Sequence, residues 1–149
     1  MKNIFRGIEC EFEGSPHLNV ERVLDGIPLQ HYKVFLEWGM IHNKDGQISC
    51  PKIVSPDFIH NISDNFNYCI WELLVHIFPK EETPKSLRNY KDFLESSCEC
   101  SILYYDAGYL AIYVKNEEWL GTFEKNIIKM VPQRVDKITD QNDTRTSFL

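Results

Sequence analysis

A chain of 149 residues with 43% hydrophobic, 13% aromatic and 26% charged residues has the size and composition of one folded domain, far from the signature of disorder. Its formal net charge of -6, from 22 acidic against 16 basic residues, repels phosphate backbones and argues against a nucleic-acid partner. Neither an export signal nor a membrane helix is expected, because Met1 to Phe12 alternates charged with apolar residues and the longest apolar-rich stretch, Tyr68 to Phe78, is interrupted by Glu72 and His76.

Ile4, Ile8, Cys10 and Phe12 share one side of a period-two pattern and predict a first strand, with Phe5, Gly7, Glu9 and Glu11 on its other side. Ser15-Pro16 is a cap-then-proline start for a helix carrying Val20, Val23, Leu24 and Ile27, and Gly26 with Pro28 stops it. Tyr32, Val34, Leu36, Trp38 and Met40 return to period two as a long strand. The Asn43-Lys44-Asp45-Gly46 turn follows, and Gln47 to Cys50 is expected to come back as a short strand. Ser55-Pro56-Asp57 starts a short helix with Phe58, Ile59 and Ile62 on its apolar face. Tyr68 to Phe78 is apolar on both sides and predicts a central strand.

Thr83-Pro84 predicts a cap for a helix bearing Leu87, Tyr90, Phe93 and Leu94 and ending near Ser97. Ser101 to Asp106 and Tyr109 to Val114 flank Ala107-Gly108 with the spacing of a two-residue hairpin loop. Asn116 caps a helix in which Trp119, Leu120, Phe123, Ile127 and Met130 are periodic, and Pro132 ends it. Gln133 to Thr139 reads as a closing strand at a sheet edge, and the tail from about residue 140 is polar until Phe148. The sum is a single α+β domain over 1–149, with a mixed or mainly antiparallel sheet and three to four helices packed on it.

Five cysteines, Cys10, Cys50, Cys69, Cys98 and Cys100, are an odd number in a chain large enough to need no staples, so reduced thiols and a cytoplasmic location are expected. Cys98-Glu99-Cys100 could seed a metal site, but no second ligand pair completes it, and the histidines are scattered. No metal or cofactor is therefore expected. Glu72 and His76 share a strand side about 13 Å apart, too far to pair directly, so each is expected to find its own hydrogen-bond partners.

Two stretches carry the candidate site residues. In the predicted hairpin register Asp106 faces Tyr109, Tyr104 faces Ala111 and Ile102 faces Tyr113, which collects Tyr104, Asp106, Tyr109 and Tyr113 on one side, either as an aromatic and acidic binding patch or as a layer packed under another helix. The other stretch, Ile138 to Thr146, is dense in short polar side chains around Asp140, Asp143 and Arg145 and could form an ordered polar site, or fray as a solvated terminus. This ITDQNDTRT segment, with SILYYDAGYLAIYVKNEE upstream, resembles an uncharacterised bacterial family, domain of unknown function 2691. The family pattern closes on an aromatic residue after the arginine-threonine stretch, whereas this chain ends Ser147-Phe148-Leu149. The resemblance implies a cytosolic bacterial protein and supplies no activity or catalytic residue. A non-catalytic interaction domain for a protein partner of basic character is the first functional expectation. A small enzyme or ligand-binding domain using the polar tail is the second.

Overall fold

The computed structural model describes residues 4–13, 18–64, 68–106 and 108–148. One antiparallel sheet runs through them in the order β3-β2-β5-β6-β7-β1-β8, with β4 also paired to β2. Its strands are β1 (Phe5–Glu11), β2 (Tyr32–Asn43), β3 (Gly46–Gln47), β4 (Lys52–Val54), β5 (Cys69–Pro79), β6 (Cys100–Tyr105), β7 (Tyr109–Val114) and β8 (Arg134–Thr139). With α1 (Val20–Val23), α2 (Pro56–Asp64), α3 (Tyr90–Glu95) and α4 (Glu117–Lys129), the described residues form an α+β fold.

Strand alternation divides the core in two. Ile8 and Cys10 of β1, Leu73, Val75 and Ile77 of β5, Ile102 and Tyr104 of β6, and Leu110, Ile112 and Val114 of β7 face one way and pack under α1, α2 and α4. Leu74, Phe78, Leu103, Ala111 and Tyr113 face the other way and meet Leu87, Phe93 and Phe148. The first sheet face is thus covered by helices that bury Val20, Val23, Ile59, Ile62, Trp119, Phe123 and Ile127, as their spacing predicts. The stretch 80–98, which carries α3, and the irregular stretch 140–148 cover part of the second.

Caps explain several boundaries. Asn116 accepts hydrogen bonds from the amides of Glu118 and Trp119, and Ser55 Oγ accepts from Phe58 N. Asn126 of α4 donates to the carbonyl oxygens of Val23 and Asp25, tying α4 to the end of α1. The Ser15-Pro16 start lies outside the described residues; within them Asn19 caps α1, and Gly26 sits at φ +84° beyond its end.

Three expectations need correction. The helix expected from Thr83-Pro84 begins only at Tyr90, because Asn89 Oδ1 accepts from Asp92 N and makes the cap itself, while Ser86 and Leu87 lie outside regular structure and are hydrogen-bonded to Glu37. Leu87 is buried from this irregular stretch, and Leu94, expected inside, is exposed. The return strand is split: β3 pairs with the end of β2, and β4, later than Gln47 to Cys50, pairs with Val34 to Leu36. Finally, period two fails in β2. The register passes from Leu36↔Val75 to Trp38↔Leu74, leaving Glu37 as an extra residue. This bulge turns Trp38 and Met40 to the second face.

Candidate functional site

The hairpin is one residue out of the predicted register. Tyr105 pairs with Tyr109, Tyr104 with Leu110, Leu103 with Ala111, Ile102 with Ile112 and Ser101 with Tyr113. Asp106 adopts φ +51°, a left-handed conformation that aspartate tolerates, so β6 ends before it and the loop holds three residues. Ala107 lies outside the described residues. Gly108 N donates to Tyr105 O at 3.3 Å, and a Cβ on Gly108 would lie 2.9 Å from Phe12 O, so this corner demands glycine.

A slip of one residue exchanges faces. Tyr104 is buried in the first core, where burial pushes its phenol up to about 12. Tyr113 is buried on the second face. The expected single patch of three tyrosines therefore does not form: Tyr104 and Tyr113 lie on opposite sides of the sheet, and Tyr109 stacks instead on Tyr105, with ring centroids 5.3 Å apart.

Tyr113 meets the polar tail. Its hydroxyl donates to Asp143 at 3.3 Å, and Asp143 also pairs with Arg6 Nη1 at 3.1 Å. Burial, then the Asp143 charge, raises the Tyr113 phenol well above its ordinary value. Arg145 lies over the Tyr105 ring, Cζ 4.7 Å from the centroid. Asp140 accepts from Ile4 N through Oδ1 and donates its own amide to Ile4 O. Phe148, 1% exposed, packs on Tyr113 at 5.1 Å between centroids and donates its amide to Arg88 O. The segment is an ordered clasp across the second face, so the expectation of a fraying terminus is corrected for residues 140–148. A shallow cavity of about 270 Å³ remains beside it, lined by Glu9, Tyr105, Asp143, Thr144 and Arg145 among others.

Deeper on the same face runs a buried polar chain. His76 Nε2 lies 2.7 Å from Glu37 Oε1 and His76 Nδ1 2.7 Å from Ser101 Oγ. Phe35, Phe78 and Phe148 surround the imidazole. Glu37 also accepts from Ser86 Oγ and Leu87 N. Burial alone would raise the Glu37 carboxyl, but the bonds from His76, Leu87 and Ser86 prevail and hold it below the ordinary glutamate range. The order Ser, His, Glu is that of a nucleophilic triad. Here, though, Ser101 is the second residue of β6, flanked by β5 and β7, and is 1% exposed, so its oxygen is closed to solvent. Glu72, the other expected member of the His76 side, accepts from Trp38 Nε1 at 3.2 Å, so both side chains do find separate partners.

At the end of β5 beyond Leu74 the second face is partly exposed among the described residues. Met40 pairs with Glu72. In the same row, one residue beyond Leu73↔Tyr104, come Tyr105, Tyr109, Glu11 and Arg134. Trp38 stands one row in, 42% exposed. Tyr109 bonds to Glu11, which raises its phenol. Glu9, Glu11 and Asp136 surround Arg134.

Residues 5–149 match the model of a family described as a protein of unknown function, DUF2691. The chain belongs to this family. As a DUF2691 protein it is also 33% identical over 91 residues to the uncharacterized protein YncE of Bacillus subtilis. The match spans 61% of this chain and 59% of that relative, about three fifths of the relative's length. No solved structure matches.

Among the described residues of this DUF2691 chain, no helix is long and apolar enough to cross a membrane. Three thiols are deeply buried: burial pushes Cys10 up to about 12, Cys98 to about 11 and Cys100 well above the ordinary thiol value. Sequence reasoning missed Glu37 and Trp38 as site residues, because a bulge leaves no mark on a period-two pattern except the break it causes. The one available signal was Gly39, immediately after them.

Proposed function

We propose that this chain is a non-catalytic binding protein that recognises a basic protein partner through the open end of its second sheet face. One observation carries the reading: exposed Trp38 and partly exposed Met40 and Tyr109 stand among Glu72 and Glu11 on one end of the second sheet face, bordered by Tyr105 with Arg145 of the tail over its ring. Rigid aromatic side chains with polar tips are favoured anchors in interfaces, and Glu9, Glu11, Glu72 and Asp136 outnumber Arg134 and Arg145 around them. That balance suits a cationic partner, with the charge setting encounter and orientation more than affinity. Asp106, exposed at the hairpin tip, adds to the same rim. Buried Tyr104 lies on the opposite face of the sheet, and buried Tyr113 is covered by the tail. The reading places the protein in the cytoplasm as a single domain.

Ligand binding by the tail is the second reading, supported by the cavity at Asp143 and Arg145. It is weaker because Asp140 and Asp143 are already engaged with Ile4, Arg6 and Tyr113.

Affinity capture from a bacterial lysate, comparing the native chain with a Trp38→Ala, Tyr109→Ala variant at low and high salt, tests the first reading. Recovery of basic proteins should fall at least tenfold in the variant and fall with salt. Equal recovery by both proteins would reject the surface.

A further inference from the structure

The stretch 80–98 crosses the second face with α3 as its one regular element; Leu87 and Phe93 pack its middle on the sheet, and among the described residues a single side chain hydrogen-bonds that middle to the strands. Glu37, set free of the ladder by the β2 bulge, accepts Ser86 Oγ at 2.7 Å and Leu87 N at 2.8 Å while holding His76 from the adjoining strand at 2.7 Å. The other bonds that tie this stretch to its surroundings lie towards its ends or on main chain: Lys80 Nζ to Gln30 O, Lys33 Nζ to Glu82 O, Phe148 N to Arg88 O and Lys115 Nζ to Ser96 O.

We propose that Glu37 is an acid-sensitive latch: as a carboxylate it clamps Ser86 and Leu87 to the sheet, and on protonation the 80–98 strap lifts to uncover Leu74, His76 and Phe78.

The chemistry follows from the donors. Three groups donate to one carboxylate, and charge-assisted bonds of this kind are roughly twice as strong as neutral ones. A protonated carboxyl accepts more weakly and brings a donor of its own into a site already filled with donors. Ser86, bonded to Oε2, can turn round and accept the new proton; Leu87 N and His76 Nε2 share Oε1, which as a neutral carbonyl oxygen holds the Leu87 amide more weakly. His76 is the titratable group facing Glu37 from β5. The strap contributes a hydroxyl and an amide, Ser101 of β6 faces the far side of the imidazole, and the tail contributes the Phe148 ring. Arg88, next to Leu87, is turned to Asp92 instead.

The sign is fixed by the depressed Glu37 carboxyl. Its contribution is fully present above the ordinary glutamate range and is lost as pH falls through the lower value it has in the fold, so the latch is shut at neutrality. The inference is independent of the proposed partner, although the uncovered Leu74 adjoins Trp38.

Amide exchange by NMR on the full chain, expressed as protection factors to remove the intrinsic pH dependence, tests it. On lowering the pH from neutrality, Leu87 protection should fall at least tenfold, with a midpoint that follows the Glu37 carboxyl carbon, while Ile102 and Ile112 stay protected. Glu37→Gln should show the loosened Leu87 already at neutrality and no further change with pH. Constant Leu87 protection, a midpoint following the His76 ring, equal loss at Ile102, or a variant as pH-sensitive as the native chain would each overturn the latch. The native titration decides even where the variant does not fold.

Discussion

Gly7 lies where β1 passes closest to β7: a Cβ there would sit 1.8 Å from Ile112 O and 3.0 Å from Tyr113 Cα. Both atoms are main chain, so no side chain can yield, and the strands themselves would have to part. Gly7→Ala is therefore expected to destabilise the protein by about 3 kcal/mol or more, in the range of a severe overpacking change, read as a drop in the urea midpoint at unchanged slope. Gly121, whose added Cβ would meet nothing within 4 Å, is the control. Gly121→Ala should be neutral or slightly stabilising in the middle of α4, by up to about 1 kcal/mol. The same locality governs Asp143. One carboxylate joins Arg6 of β1, Tyr113 of β7 and the amide of Arg145, and so fixes the tail over the sheet.

At the scale of elements, the hairpin shows how one residue decides what a surface is. Tyr104 and Tyr105 are neighbours in sequence on opposite faces, one inside the helix-covered core and one under Arg145. Tyr104→Ala should cost about 3–5 kcal/mol, as for a large buried aromatic, and Tyr105→Ala about 1–2 kcal/mol. Equal losses in thermal or urea unfolding would contradict the observed register. The strands themselves were legible, because Val34 and Leu36, Leu73 to Ile77, and Leu110 to Val114 keep strict alternation between covered faces. So were α2 and α4, with caps at Ser55 and Asn116 matched to periodic apolar residues. The register was not, since Ala107-Gly108 has the spacing of a two-residue loop and only the left-handed Asp106 lengthens it. Nor was the strap, where Pro84 and Leu87 imitate a helix start but Glu37, some fifty residues earlier in the chain, takes the Ser86 hydroxyl and the Leu87 amide as hydrogen-bond donors. Long-range hydrogen bonds of this kind override local propensity and leave no local trace.

Over the whole molecule, the two faces of the sheet are finished differently. Helices close the first with a conventional apolar layer, while the second is closed by the strap and by the tail with Phe148, and is partly exposed around Trp38 among the described residues. Of the candidate site, the tail motif and Tyr109 were legible as polar or aromatic residues out of place on a core strand pattern. Their assembly with Arg6, Tyr105 and Trp38 was not, because it depends on strand order and on a bulge. Membership of DUF2691 fixes the family of this arrangement and leaves its role to the surface itself. The central claim is that the partly exposed acidic and aromatic end of the second face is where a partner docks. Photocrosslinking in living bacteria tests it most directly, with a benzophenone amino acid placed at Trp38 or Tyr109 and, as a control, at exposed Ile128 on the helical side. Discrete adducts to another protein from positions 38 and 109, absent from 128, are the expected result; adducts from 128 alone, or the same pattern at all three, would contradict it.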